Sequence, residues 1–186
     1  MVKALLAAAV LVCVAAPSFA PAGAGASEGG QDSKFAHSYL GKAPPEIVAA
    51  KDQWINAPEG LKLGALKGKV VWLEFGFLKC APCRKMMPVM QKWHTEFGPK
   101  GLVVVDVDDG GVDDRDEVQK EVAAQKSGYA VLWDKDSKNC LTYGVEVFPR
   151  AYLIGVDGTV IWEGLPNEKL EEIEKLMQAE FAKVKK

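Results

Sequence analysis

Two cysteines separated by two residues form the most reactive pattern in this chain. Cys80 and Cys83 enclose Ala81 and Pro82, after an apolar run that predicts a buried strand and at the start of a predicted helix. In the first turn of a helix the backbone N–H groups lack partners, and the helix dipole favours negative charge. A thiolate at Cys80 is therefore stabilised, and the thiolate is the nucleophilic form of cysteine.

The surroundings of the pair also favour redox chemistry. Lys79, Arg84 and Lys85 add positive charge beside it, and the spacing lets Cys83 close a ring onto Cys80 with little rearrangement. Two other interpretations are weaker. An inert disulfide that closes so short a loop would stabilise little. A zinc site needs a second pair of cysteine or histidine ligands at matching spacing, which the sequence lacks.

The elements that must position the pair alternate between strand and helix. Hydrophobic patterns predict strands at 69–76, 102–107, 129–133, 150–156 and 159–163. They predict helices at 44–55, 83–97, 112–127 and 137–143, and a last helix capped by Asn167. The alternating part gives parallel strands, and the Asp157-Gly158 turn adds an antiparallel hairpin. We predict an α/β sandwich with a mixed central sheet and flanking helices.

The N-terminus has the pattern of an export signal. Lys3 precedes an apolar stretch at 4–16, and small residues follow up to Ala26. We predict a cleaved signal peptide at 1–26, a flexible tether at 27–43 and one domain at 44–186. An uncleaved membrane anchor is the weaker alternative, because the apolar run is shorter than the roughly 20 residues of a membrane-spanning helix. The expected location is the periplasm or another exported, oxidising compartment.

Length and charge exclude several classes of protein. The chain has 186 residues and a formal net charge of −2, which suits one domain and gives no support to nucleic-acid binding. Charged residues make up 26% of the chain, the ordinary share for a folded soluble protein, which argues against general disorder.

Longer motifs resemble the thioredoxin superfamily, above all its exported TlpA/ResA-like thiol-disulfide oxidoreductases. The resemblance lies in 68–75 (GKVVWLEF), 79–88 (KCAPCRKMMP), 143–145 (YGV) and 148–149 (FP). It implies a thioredoxin-like fold. It also implies specific roles. Cys80 would attack the client disulfide and Cys83 would resolve the mixed disulfide, with Glu74 as a buried acid that exchanges a proton with Cys83. Pro149 would be a cis-proline that lies beside Phe148 in the substrate groove.

The resemblance further implies partners. Client proteins with cysteines or disulfides are expected, apocytochromes in cytochrome c maturation among them, and a membrane electron donor would restore the dithiol. No organic cofactor and no tightly bound metal are expected. Two alternatives use the same cysteines. A peroxiredoxin needs Ser or Thr three residues before its cysteine, where this chain has Phe77. A copper-binding chaperone generally adds a histidine near the dithiol, and neither His37 nor His94 is well placed.

Other features depart from the superfamily pattern or have simpler explanations. Lys79 replaces the usual Trp before the first cysteine, and Phe148 and Arg150 flank Pro149 where smaller residues are common. These departures leave the reaction type standing and the substrate open. Cys140 matches no catalytic position and is predicted to be a small buried residue of its helix. The acidic run at 106–117 has partial calcium-loop spacing, but a strand-to-helix loop with acidic capping residues explains it better.

Overall fold

A computed structural model describes residues 37–57 and 60–184. The predicted signal peptide and the tether up to residue 36 lie outside the described residues. In chain order the strands are β1 (Trp54–Ile55), β2 (Val70–Gly76), β3 (Leu102–Asp109), β4 (Ala130–Asp134), β5 (Arg150–Ile154) and β6 (Val160–Gly164). The helices are α1 (Ala81–Phe97), α2 (Arg115–Gln125), α3 (Lys138–Tyr143) and α4 (Leu170–Phe181).

The six strands form one mixed sheet in the order β1-β4-β3-β2-β5-β6. Strands β2, β3 and β4 run parallel, because a helix connects each of them to the next. Strands β5 and β6 form the predicted antiparallel hairpin, and β5 pairs antiparallel with β2. The predicted α/β sandwich with a mixed sheet is thus confirmed, and a short loop leads from the end of the central strand β2 to the cysteine pair.

Two hydrophobic layers cover the faces of the sheet. Even-numbered residues of β2 face α1, α2 and α4, where Trp72 packs edge-on against Trp93 with ring centroids 5.0 Å apart. Odd-numbered residues face α3 and the N-terminal segment, where the ring centroids of Phe75 and Tyr143 lie 4.8 Å apart. This alternation along β2 decides which side chains can reach the helix that carries the cysteines.

Three predicted features are wrong at the ends of the domain. The segment 44–55 is not a helix, because it ends in a 3₁₀ turn (Lys51–Gln53) and strand β1, which pairs with β4. Asn167 does not cap α4; its side-chain amide donates to the carbonyl of Pro82 at 3.0 Å. The domain begins before Pro44, since two residues of the segment predicted as tether pair with strand β6. Gly41 N–H donates to the carbonyl of Val160 at 2.8 Å, and Leu40 forms a bridge with the same residue.

Candidate active site

Cys80 and Cys83 lie where β2 passes into α1, as the sequence predicts. Cys80 is the N-cap of α1, with extended backbone angles, and its Sγ accepts a hydrogen bond from the N–H of Cys83 at 3.2 Å. The two residues form a disulfide, and each is 6% exposed. Pro82 fits the first turn, since an N–H there would have no helical partner. The cap position places Cys80 at the positive end of the helix dipole.

Positive side chains surround this helix start. Lys79, Arg84 and Lys85 are exposed, and Arg84 reaches Glu121 of α2 at 3.4 Å. The remaining cations and the helix dipole favour a negative sulfur at position 80 once the disulfide is opened. The local arrangement therefore suits nucleophilic attack by Cys80.

The loop between β2 and Cys80 is held on two sides. The N–H of Leu78 donates to the carboxylate of Asp113, which lies in the loop between β3 and α2. The ring of Phe77 packs edge-on against Phe148 with centroids 5.2 Å apart. Cys80 N–H closes the loop by donating to the carbonyl of Phe77 at 3.1 Å. These contacts fix the approach to the disulfide from both neighbouring loops.

The turn before β5 lies beside this loop. The Phe148–Pro149 peptide bond is cis, as expected from the resemblance, and the next residue, Arg150, pairs with Phe75 of β2. The Arg150 guanidinium is buried, lies 3.5 Å from the Glu163 carboxylate and donates from Nε to the Tyr152 hydroxyl at 3.3 Å. Arg150 thus ties the residue after Pro149 to β6.

Glu74 is a buried acid on the face of β2 that α1 covers. It is 1% exposed, so the alternative of a strand residue turned toward solvent is wrong. Its Oε2 accepts from the indole N–H of Trp72 at 3.1 Å. Burial raises the pKa of Glu74 well above its usual range, and the nearby carboxyl of Asp106 raises it further. Glu74 therefore tends to hold a proton.

Three more acids, beyond those predicted from the sequence, share this region. Asp106 and Asp108 pair in register with Glu74 and Gly76 on the parallel strand β2. Burial raises the pKa of Asp106 to about 7, and that of Asp108 to about 9 with the help of neighbouring carboxylates. Asp113 holds the active-site loop through Leu78. For Asp106 and Asp108 the sequence contains a pattern that predicts this position, because residues two apart on a strand project from the same face.

The capping interpretation of the acidic run holds for one of its residues. Asp114 caps α2, with its side chain accepting from the N–H of Asp116 at 2.8 Å. Within residues 37–57 and 60–184, no group of three or more histidine, cysteine or acidic side chains is arranged to hold a metal ion. Cys140 is a free, buried thiol in α3, as predicted, and burial raises its pKa. His94 lies further along α1, with its ring 6.5 Å from that of Tyr129.

Comparison with known proteins identifies this arrangement. Residues 41–163 match the AhpC/TSA family. The chain belongs to that family. The thiol-disulfide oxidoreductase ResA of a Bacillus thuringiensis strain is 33% identical over 138 residues, which cover 73% of this chain and 75% of that protein. ResA of Bacillus cereus is 32% identical over 152 residues, which cover 80% of this chain and 83% of that protein.

A solved structure points the same way. The thioredoxin domain of a thiol-disulfide oxidoreductase from Bacteroides vulgatus superposes with a TM-score of 0.63 at 25% identity, covering 76% of this chain and 99% of that chain. This AhpC/TSA family member is accordingly a ResA-like thiol-disulfide oxidoreductase of thioredoxin-like fold. None of the helices within the described ranges, 37–57 and 60–184, is both long enough and apolar enough to span a membrane.

Proposed function

We propose that this protein is exported and reduces disulfides of client proteins through the Cys80–Cys83 pair. The observation that carries the proposal is the position of Cys80 as the N-cap of α1, beside Lys79 and the exposed cations of the first turn. That position favours the thiolate, the form that attacks a client disulfide. The reductive direction is what the resemblance to the exported TlpA/ResA-like oxidoreductases implies.

The catalytic cycle consists of two sulfur exchanges. The Cys80 thiolate attacks one sulfur of the client disulfide, forms a mixed disulfide and releases the first client thiolate. Cys83 then loses its proton and attacks the Cys80 sulfur, which forms the Cys80–Cys83 disulfide and releases the second client thiolate. Two electrons pass to the client. A dithiol donor at the membrane restores the reduced pair by the reverse exchanges.

The remaining site residues are assigned by their positions. Glu74 is buried beneath the helix start and serves as a proton store for the Cys83 step. Phe148 and Pro149 form one wall of the client groove, since the Phe148 ring packs against Phe77 in the loop that leads to Cys80. Clients are exported proteins with cysteines, apocytochromes included.

The N-terminal sequence supports export. Lys3, the apolar stretch 4–16 and the small residues up to Ala26 have the order of a cleaved signal peptide, with 27–36 as the start of a tether. Intact mass of protein recovered from the periplasm of a bacterial host should correspond to a chain that starts at Ser27. A mass that retains residues 1–26 would favour a membrane anchor.

Insulin reduction and a redox titration test the main proposal. The purified domain should reduce insulin, and Cys80→Ser should abolish the reaction. The reduction potential should lie near that of thioredoxin, about −270 mV, whereas a value near about −120 mV would make the protein an oxidant. Stoichiometric copper binding by the reduced protein without insulin reduction would instead establish the copper-chaperone alternative.

A further inference from the structure

Cys83 needs a proton acceptor in the second exchange of the proposed cycle. Only a thiolate attacks a disulfide, and Cys83 is 6% exposed, so water has little access to its sulfur. A carboxylate on the strand face beneath α1 is the natural acceptor. This inference rests on the proposed assignment of Cys83 as the resolving cysteine.

Gly76 marks the point where Cys83 rests on the sheet. A Cβ placed on Gly76 would lie 3.4 Å from Cys83 Cβ and 3.5 Å from its Sγ. The partner of Gly76 in the parallel register is Asp108 of β3. Registered residues on parallel strands project from the same face, so the Asp108 side chain leaves the sheet on the face that Cys83 covers.

Strand geometry favours Asp108 over Glu74 as the nearer acid. Neighbouring strands lie about 4.8 Å apart, whereas two residues along one strand span about 6.6 Å. Asp108 is one strand away from Gly76, and Glu74 is two residues away along β2. The Glu74 carboxylate also accepts from Trp72, which lies on the side of Glu74 away from Gly76.

Asp108 has an oxygen with no assigned role. Its Oδ1 is buried and has no hydrogen-bond partner among residues 37–57 and 60–184. The same holds for Oδ1 of Asp113, whose Oδ2 accepts from Leu78 N–H in the active-site loop. Burying a carboxylate oxygen without a hydrogen-bond partner costs free energy, and protonation of Asp108 or Asp113 reduces that cost.

We propose that Asp108 exchanges the resolving proton with Cys83. The Cys83 thiol gives its proton to the Asp108 carboxylate, and the resulting thiolate attacks Cys80. In the oxidised protein the proton stays on Asp108. When a donor opens the disulfide, the departing Cys83 thiolate takes the proton back.

The charged and titratable groups around Asp108 agree with this assignment. Carboxylates of Asp106, Asp109 and Asp113 face it from its own strand and the following loop, and each raises its pKa, as burial does. On β2 its register partner is Gly76, against which Cys83 of α1 packs, and on β4 its register partner is Trp133. The positive charge of Lys79 lowers the pKa of Asp113. A neutral, protonated Asp108 is thus favoured beside the disulfide.

Reaction of the reduced protein with dithiobis(nitrobenzoate) separates the two exchanges. Cys80 releases the first nitrothiolate, and Cys83 releases the second when it attacks the mixed disulfide. In Asp108→Asn the first phase should keep its rate, and the second should slow about a hundredfold or more, the scale of a lost general base. Asp136→Asn is the matched control, because Asp136 is exposed and its left-handed backbone conformation tolerates Asn.

The variants distinguish Asp108 from Glu74 as the proton acceptor, and the trapped intermediate distinguishes Cys80 from Cys83 as the attacking cysteine. An unchanged second phase in Asp108→Asn, with a slowed one in Glu74→Gln, would overturn the proposal and assign the proton to Glu74. Mass spectrometry of the trapped intermediate should place the nitrobenzoate on Cys80. Its presence on Cys83 would contradict the proposed function itself, independently of Asp108.

The wild-type protein provides a second test that needs no variant. A phosphine reductant attacks Cys80, Cys83 departs as thiolate, and water converts the phosphonium to phosphine oxide, so the rate reports protonation of the leaving group. Opening should slow as pH rises through about 9, where Asp108 loses its proton. A rate that stays constant between pH 8 and 10 would overturn the proposal even if Asp108→Asn did not fold.

Discussion

Replacing Arg150 with Met should destabilise the domain strongly. The Arg150 and Glu163 side chains are 2% and 11% exposed, and their charged groups lie 3.5 Å apart. At an effective dielectric constant of ~20, two unit charges at that distance attract each other by about 5 kcal/mol. Arg150→Met leaves the Glu163 carboxylate with a backbone N–H donor from Tyr39 in place of a full charge. The expected loss is about 3–5 kcal/mol in the free energy of unfolding.

Urea unfolding of four proteins measures this loss. Adding Glu163→Gln to Arg150→Met removes the unpaired charge and keeps an acceptor for Tyr39, so the double variant should be more stable than the single one by about 1 kcal/mol or more. Lys169→Met breaks an exposed pair with Glu172 at 3.8 Å and should change stability by about 0.5 kcal/mol at most. If Arg150→Met cost no more stability than Lys169→Met, the buried pair would not hold β5 to β6.

Three further predictions follow from the site. Iodoacetamide should label Cys80 of the reduced protein before Cys83, and buried Cys140 only after unfolding; peptide mapping showing Cys83 first would reverse the two roles. Glu74→Gln should keep the fold and slow the second nitrothiolate phase, so equal rates from pH 6 to 9 would make Glu74 purely structural. Burial raises the pKa of Asp106 to about 7 in the folded state. Its contribution to stability is therefore full below the unfolded pKa of about 3.9 and lost as pH rises through about 7. The free energy of unfolding of Asp106→Asn relative to wild type should therefore increase as pH rises through that interval, as measured by urea unfolding at several pH values. A difference between the two proteins that stays constant with pH would refute the assignment.

The cysteine pair was predictable because its setting is local. The apolar run of β2, the helix period of α1 and the short C-x-x-C spacing lie within one stretch of chain, so sequence alone places Cys80 at a helix start. The hairpin of β5 and β6 was predictable for the same reason, since Asp157-Gly158 marks its turn. Patterns of this kind depend on the backbone preferences of neighbouring residues.

Features that depend on distant pairing were missed or misinterpreted. Trp54 and Ile55 suit a helical face after Pro44 and Pro45, yet they form β1 because β4 offers an unpaired edge more than 70 residues away. The sequence around Pro149 shows Arg150 only as an unusually large neighbour, because its partner Glu163 comes from β6. No local pattern contains these contacts.

The two halves of the proposed chemistry therefore have different origins in the sequence. The nucleophile depends on the helix start, where backbone amides and nearby cations favour a thiolate at Cys80. The proton acceptor depends on the register of β3 against β2, which sets Asp108 beside Gly76 and so beneath Cys83. A shift of one residue in that register would turn Asp108 to the opposite face and bring Val107 or Asp109 to the sulfur. The tight packing of Gly76 against Cys83 and the hydrogen bond from Leu78 to Asp113 tie that register to the active-site loop, so resolution by Cys83 depends on strand pairing as much as on the cysteine motif.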